Sequence, residues 1–223
     1  FARVLRALFA RRTNVEIIEA AVGEHAGRAS LSISDRSPTM TTLATEWRDE
    51  RARDPVFARV RWNRGIEVDT TTLDTLIARF GAPAFIKIDV EGAEPQVLAG
   101  LSQPVRALSF EYLPHALGYA RTCVTRLRAL GPYCFNWSPG ESYELAADRW
   151  MTGDELAAAL ETAPAQRRSG DVYARLDTKE TGDRSSLRAS PAVLCQQMVT
   201  KPPHPEFDAA DVRRYYDRHT DNF

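Results

Sequence analysis

The chain of 223 residues is poor in the short motifs from which a function is commonly read. It holds three cysteines, Cys123, Cys134 and Cys195, at spacings that match neither a zinc site nor a redox pair. No H-x-x-x-H or C-x-x-C occurs, so no metal centre is expected. A hard divalent cation among carboxylates has no spacing to support it. Sparse, odd-numbered thiols fit a reducing, cytoplasmic setting. No G-x-G-x-x-G loop follows any expected strand, and Gly23 and Gly27 belong to a turn instead. No G-x-S-x-G and no framed Ser/His/Asp arrangement is found. No apolar run nears the roughly 20 residues of a membrane span, so no membrane partner is expected. The net charge of −1 leaves no global pull toward nucleic acid or anionic lipid.

What is present is a globular composition, 43% hydrophobic and 26% charged, and one dense stretch at residues 84–94. Ile86, Ile88 and Val90 share one face of an extended chain, because side chains alternate with period two. Lys87, Asp89 and Glu91 share the other, and Glu94 follows. Three charges on a strand are costly to bury unless they pair or meet a ligand. Gly92 permits a tight turn and Pro95 suits the first position of a helix. The end of a strand feeding a helix is where open α/β sheets bind ligands.

Two readings stand for these acids. Lys87 pairs with Asp89 in the strand, and the remaining acids favour the helix N-terminus. Alternatively, the carboxylates hold an amine, orient a hydroxyl or accept its proton, with Lys87 keeping one ionised. Glu111 and His115 close the next apolar strand, which would end about 5 Å from the first. His115 has the better-matched intrinsic pKa for a base, though a plain loop histidine fits as well. His25, His204 and His219 read as structural or solvated.

In chain order, residues 1–12 have helical spacing, residues 15–21 read as a parallel strand, and residues 29–33 as an antiparallel return. Residues 34–64 are irregular and hold Trp47 and Trp62. They are a solvated surface helix flanked by loop, or a lid that selects substrate. Residues 67–70 form a short strand. Thr71 with Asp74 suggests a capping box for a helix ending at Gly81. Helices follow at 95–101 and 122–130, with a strand at 105–112. Residues 133–137 and 143–145 suggest a hairpin. Thr152 with Glu155 caps a further helix, and 172–176 is a last strand. The alternation argues for an α/β fold, its sheet mostly parallel, with helices on both faces and an antiparallel pair at the end. Residues 1–177 form the domain. Residues 178–207 read as a linker and 208–223 as the start of a further helical element.

Ile86-Lys87-Ile88-Asp89-Val90-Glu91-Gly92-Ala93-Glu94, followed by Val97-Leu98-Ala99-Gly100, resembles the signature of FkbM-type methyltransferases. Val15-Glu16-Ile17-Ile18-Glu19-Ala20-Ala21-Val22-Gly23 and Thr70-Thr71-Thr72-Leu73-Asp74 agree with it in order and spacing. The resemblance implies a Rossmann-like class I sheet lacking its first strands. It also implies S-adenosylmethionine as cofactor and, as acceptor, a hydroxyl on a sugar or natural-product small molecule. Ala20, Ala21 and Val22 would lie near the adenine, and Asp89 and Glu91 beside the methyl donor. Asp89 or Glu111 would be the base, with His115 the alternative, and Glu91 would orient the acceptor or the methionine moiety. The family's glycine-rich cofactor loop would precede Phe1. The chain is therefore read as an excerpt of a longer protein, expected by itself to bind cofactor weakly or not at all. Residues 212–220 resemble the opening of another class I methyltransferase, which suggests a tandem. The rival expectation is a non-catalytic α/β module docked in a larger biosynthetic protein. The retained charged strand weighs against it.

Overall fold

This computed structural model describes residues 2–140, 142, 144–162 and 168–177, together with the backbone of a strand at 192–196. In chain order the elements are α1 (Ala2–Leu8), β1 (Ala21–Val22), β2 (Gly27–Ile33), α2 (Thr45–Arg51), β3 (Arg64–Thr71) and α3 (Leu73–Phe80). They continue with β4 (Phe85–Asp89), α4 (Glu94–Ala99), β5 (Ala107–Tyr112), α5 (Leu117–Leu130) and β6 (Tyr133–Pro139). The last are α6 (Gly153–Leu160), β7 (Gly170–Leu176) and β8 (Ala192–Gln196).

Two sheets result. The larger has the order β6-β7-β5-β4-β8, the smaller β1-β3-β2. In the larger sheet β4 runs parallel to β5 and β8, and β7 runs antiparallel to β5 and β6. In the smaller, β3 is parallel to β1 and antiparallel to β2. The architecture is a mixed α/β fold.

The period-two pattern explains why β4 sits in the interior. Ile86 pairs with Leu108 and Ile88 with Phe110, and all four side chains are fully buried. They share one core with Val97, Leu98, Cys123, Leu127 and Leu156 from α4, α5 and α6. Each such side chain stabilises the fold by about 1.5–3 kcal/mol. The alternate residues, Lys87 and Asp89 on β4 with Ser109 and Glu111 on β5, then fall on the opposite face. That assignment delivers the acids together at the strand ends.

Several elements differ from expectation. Of the expected strand 15–21 only Ala21 is paired, with Val22 following it in β1, and Val15 and Ile18 are each 37% exposed. No strand among the described residues flanks 15–20, so their backbone has no ladder to join. The α3 cap is Thr72, whose hydroxyl accepts from the Thr75 amide. The Asp74 carboxylate instead accepts from the Ser102 amide at 2.9 Å, tying α3 to the loop after α4. At α6 the expected Thr152–Glu155 capping box forms. The partner of β6 is β7 rather than residues 143–145, because β7 offers seven residues of continuous register. Tyr143 lies outside the described residues.

The expected linker, 178–207, contains β8. A short apolar run there meets the edge of β4, whose amides and carbonyls need partners. The rest of that linker and residues 208–223, with the suggested tandem start, lie outside the described residues. Among the described residues no helix is long and apolar enough to cross a membrane.

In a parallel pair, alternate residues direct their amides to the partner strand. The double substitution Val193→Pro with Leu194→Pro therefore removes a β8–β4 bond whichever residue supplies it. Urea unfolding should show a loss of at least about 1 kcal/mol. An unchanged midpoint would contradict the pairing.

Candidate active site

At the end of β4 the backbone reverses through two left-handed residues, Glu91 (φ 52°) and Gly92 (φ 90°). For Glu91 this conformation costs on the order of 1–2 kcal/mol. Two contacts hold it. The Glu94 carboxylate, 4% exposed, accepts from the amides of Val90 (3.2 Å) and Gly92 (3.3 Å). On the other side, the Trp47 indole lies flush on Gly92. A Cβ there would stand 2.3–2.5 Å from three ring atoms, so only glycine fits.

Trp47 comes from α2, inside the irregular 34–64 segment, and is fully buried. Phe57 and Trp62 meet it edge-on at 6.2 and 6.0 Å, and the Trp62 indole donates to the Met40 carbonyl at 2.7 Å. The segment is thus anchored on the β4 turn through a buried aromatic cluster.

One carboxylate oxygen from each of Asp89, Glu91 and Glu111 lies within 4.8 Å of the others. Glu111 is one residue beyond the Ile88–Phe110 pairing, which is why adjacent parallel strands bring it to Asp89. Lys87 does not supply the expected in-strand pair. It donates to Asp171 on β7, across Ser109, the small residue in register with it on β5.

The acids therefore face one another at close range, and their protonation follows. Burial, then the charges of Glu111, Asp89 and Glu94, push Glu91 up to about 9. Burial, then Asp89 and Glu94, push Glu111 up to about 8, against the lowering effects of Lys87 and a Ser169 hydrogen bond. Burial raises Glu94 to about 7, opposed by the backbone amides it binds. At neutral pH Glu91 and most of Glu111 carry protons, so each is able to donate a hydrogen bond to a ligand. Three oxygens this close are also a spacing that a hard divalent cation can span.

Beside two of these acids, Glu94 and Glu111, is a small recess partly open to solvent. Trp47, Glu94, Glu111, Tyr112 and Tyr119 are among its walls. His115 is exposed and does not line it, and the His115 carbonyl instead accepts from Arg51 at 3.0 Å. Ala20, Ala21 and Val22 do not line it either. They lead into Gly23, whose carbonyl sits against Gly100 at the end of α4. Sequence reasoning placed Glu94 among the charges without a role, and its partners depend on the left-handed turn. Asp171 carried no signal, since its place depends on β7 pairing with β5.

The chain matches a family model described as the Methyltransferase FkbM domain over residues 4–117. That span includes β4, β5, the turn between β4 and α4, and Trp47. No curated protein and no solved structure matches the chain.

Raised carboxyl pKa values carry a sign for stability. Between pH 4.5, where an unfolded glutamate ionises, and about 7–9 the folded state holds more protons than the unfolded state. Stability should therefore fall as pH rises through this window. The double variant Glu91→Gln, Glu111→Gln should flatten the fall, measured as Tm against pH. A Tm that climbs from pH 5 to 9 would contradict the assignment. Separately, Gly92→Ala should destabilise by about 2–4 kcal/mol, since it combines a clash with Trp47 and a left-handed φ.

Proposed function

As the chain belongs to the FkbM methyltransferase family, we propose that it uses S-adenosylmethionine to methylate a hydroxyl of a sugar or natural-product small molecule. The observation that carries this reading is the meeting of Asp89 and Glu111 at the ends of two adjacent parallel strands, beside a recess. That place in an α/β sheet suits ligand binding. The succession of β4, α4 and β5 with parallel β8 alongside supports a Rossmann-like arrangement.

The residues present fit the cofactor's charge. When bound, S-adenosylmethionine supplies an electrophilic methyl group on a cationic sulfonium. Asp89 and Glu91 offer carboxyl oxygens to that cation or to the hydroxyls of its ribose. In this reading Glu111 takes the acceptor's proton. With its pKa near 8, it is a base of matched strength once ionised. Asp89 beside it then stabilises the proton that Glu111 has gained. Glu91, neutral at pH 7, donates a hydrogen bond and holds the acceptor oxygen or the methionine carboxylate in line. Trp47 and Glu94 keep the turn that aims Glu91.

Titration calorimetry with S-adenosylmethionine tests the reading. The chain by itself should bind more weakly than about 1 µM, and Asp89→Asn should weaken binding a further tenfold, or about 1.4 kcal/mol. Binding tighter than about 1 µM, or binding indifferent to Asp89→Asn, would sink it. Where transfer is measured, the rate should rise with pH through about 8 as Glu111 ionises, and Glu111→Gln should abolish that rise. A rate that falls across that range would remove Glu111 as the base.

A further inference from the structure

Lys87 has no part in the chemistry above, although it shares a face of β4 with Asp89. Its ammonium binds Asp171 on β7, and the two side chains are largely buried, at 27% and 13% exposed. The connection is diagonal. Lys87 is in register with Ser109 on β5, and Ser109 with Tyr173 on β7, whereas Asp171 lies two residues nearer the acids. β7 is about 10 Å from β4, twice the spacing of adjacent strands. Ser109 is small and 1% exposed, which leaves room for the lysine chain to cross it. Asp171 is also the direct cross-strand partner of Glu111. Opposed residues on antiparallel strands hold their Cβ atoms about 4.5–5.5 Å apart. The ammonium that binds Asp171 therefore ends beside Glu111 as well, and two acids compete for one cation.

The backbone of Asp171 is fixed from both sides. It pairs with Glu111 on β5 and with Ser138 on β6. Just before it, a Cβ on Gly170 would stand 2.1 Å from the Ser138 carbonyl oxygen, so this corner closes only around glycine. The Ser169 carbonyl accepts from the Gly140 amide at 2.7 Å. The groups that act on the Glu111 carboxyl are Asp89 and Lys87 from β4, Glu94 from α4 and the Ser169 side chain. Glu91, in the turn, is coupled to it too. Lys87 is the cation among these groups, and it lowers the proton affinity of Glu111. Around Asp171 are Lys87 and the Tyr112 hydroxyl, which also feels Arg168.

We propose that Asp171 is a positioning residue of the site: it holds the Lys87 ammonium on the β7 side of Glu111 and so keeps it out of the carboxyl cluster of Asp89, Glu91 and Glu111. A largely buried ammonium is costly to leave unpaired. Without Asp171, Lys87 turns to Glu111, the acid opposed to it. The cluster then carries a fixed cation where the cofactor's sulfonium would come. The effect on the cofactor rests on the methyl-transfer reading, and the placement of the ammonium does not.

Carbon-13 NMR of labelled glutamate side chains tests the placement. Asp171→Asn should move the Glu111 midpoint down from about 8 by about one pH unit or more, the effect of an opposite charge at close range. With Lys87→Met added, the fall caused by Asp171→Asn should shrink to less than about half. An aspartate that acts only through its own charge would give equal falls in both backgrounds. Equal falls, or no fall, would overturn the proposal. The unaltered chain gives a check that needs no variant to fold. There the Lys87 ammonium nitrogen should couple through its hydrogen bond to the Asp171 carboxyl carbon. Coupling to Glu111 instead, or to neither, would overturn the proposal. Calorimetry with S-adenosylmethionine separates the two ideas. Asp171→Asn should weaken binding about tenfold, and Lys87→Met in that background should restore it. Where binding depends on Asp89, indifference to Asp171→Asn would overturn the positioning role. Where binding is indifferent to Asp89→Asn, the methyl-transfer reading fails and the midpoints alone judge the placement of Lys87.

Discussion

The cost of keeping four carboxyl groups where charge is poorly solvated governs the end of the sheet. Asp89 and Glu111 lie at the ends of β4 and β5, Glu91 in the turn after β4 and Glu94 at the start of α4, and the nearby Lys87 is committed to Asp171. The chain meets that cost in two ways. Glu94 is given two backbone amides, which satisfy its oxygen and hold the left-handed turn at the same time. Glu91 and Glu111 are left to hold protons, which makes them donors at neutral pH and bases above it. Structure and chemistry thus share one cause. Burial that would destabilise three anions instead raises their proton affinity.

Much of this was legible in the sequence, and the reasons are specific. The alternation of Ile86, Ile88 and Val90 with Lys87, Asp89 and Glu91 fixes which face each side chain takes, because the period of a strand is two. Glu111 could be placed beside Asp89 because adjacent parallel strands end at about the same level. Local signals also served for the helix ends, as at Thr152–Glu155 and Gly81. Long-range partners did not show. Lys87 was matched with its neighbour Asp89, whereas its partner Asp171 arrives 84 residues later through the β5–β7 ladder. His115 carried a suggestive residue type, but its short 3-10 turn leaves it exposed. β8 was hidden in a polar, proline-rich context, and only the open edge of β4 explains its place.

The irregular 34–64 segment changes most between sequence and structure. Charged residues 48–54 made it look like a solvated surface helix. Trp47 instead passes beneath that surface to rest on Gly92, and the match of a large ring to a residue without a Cβ is what docks the segment. The same contact joins the turn that aims Glu91 to the wall of the recess. The family match spans these parts together, from residue 4 to residue 117.

The central claim is that Glu91 and Glu111 are held protonated by burial and by the acids around them. Carbon-13 NMR of labelled glutamate side chains, titrated from pH 4 to 10, measures this residue by residue. The account predicts midpoints of about 9 for Glu91 and about 8 for Glu111, with Glu111→Gln lowering the Glu91 midpoint. Midpoints for both at the ordinary carboxyl value of 4.5 would contradict it.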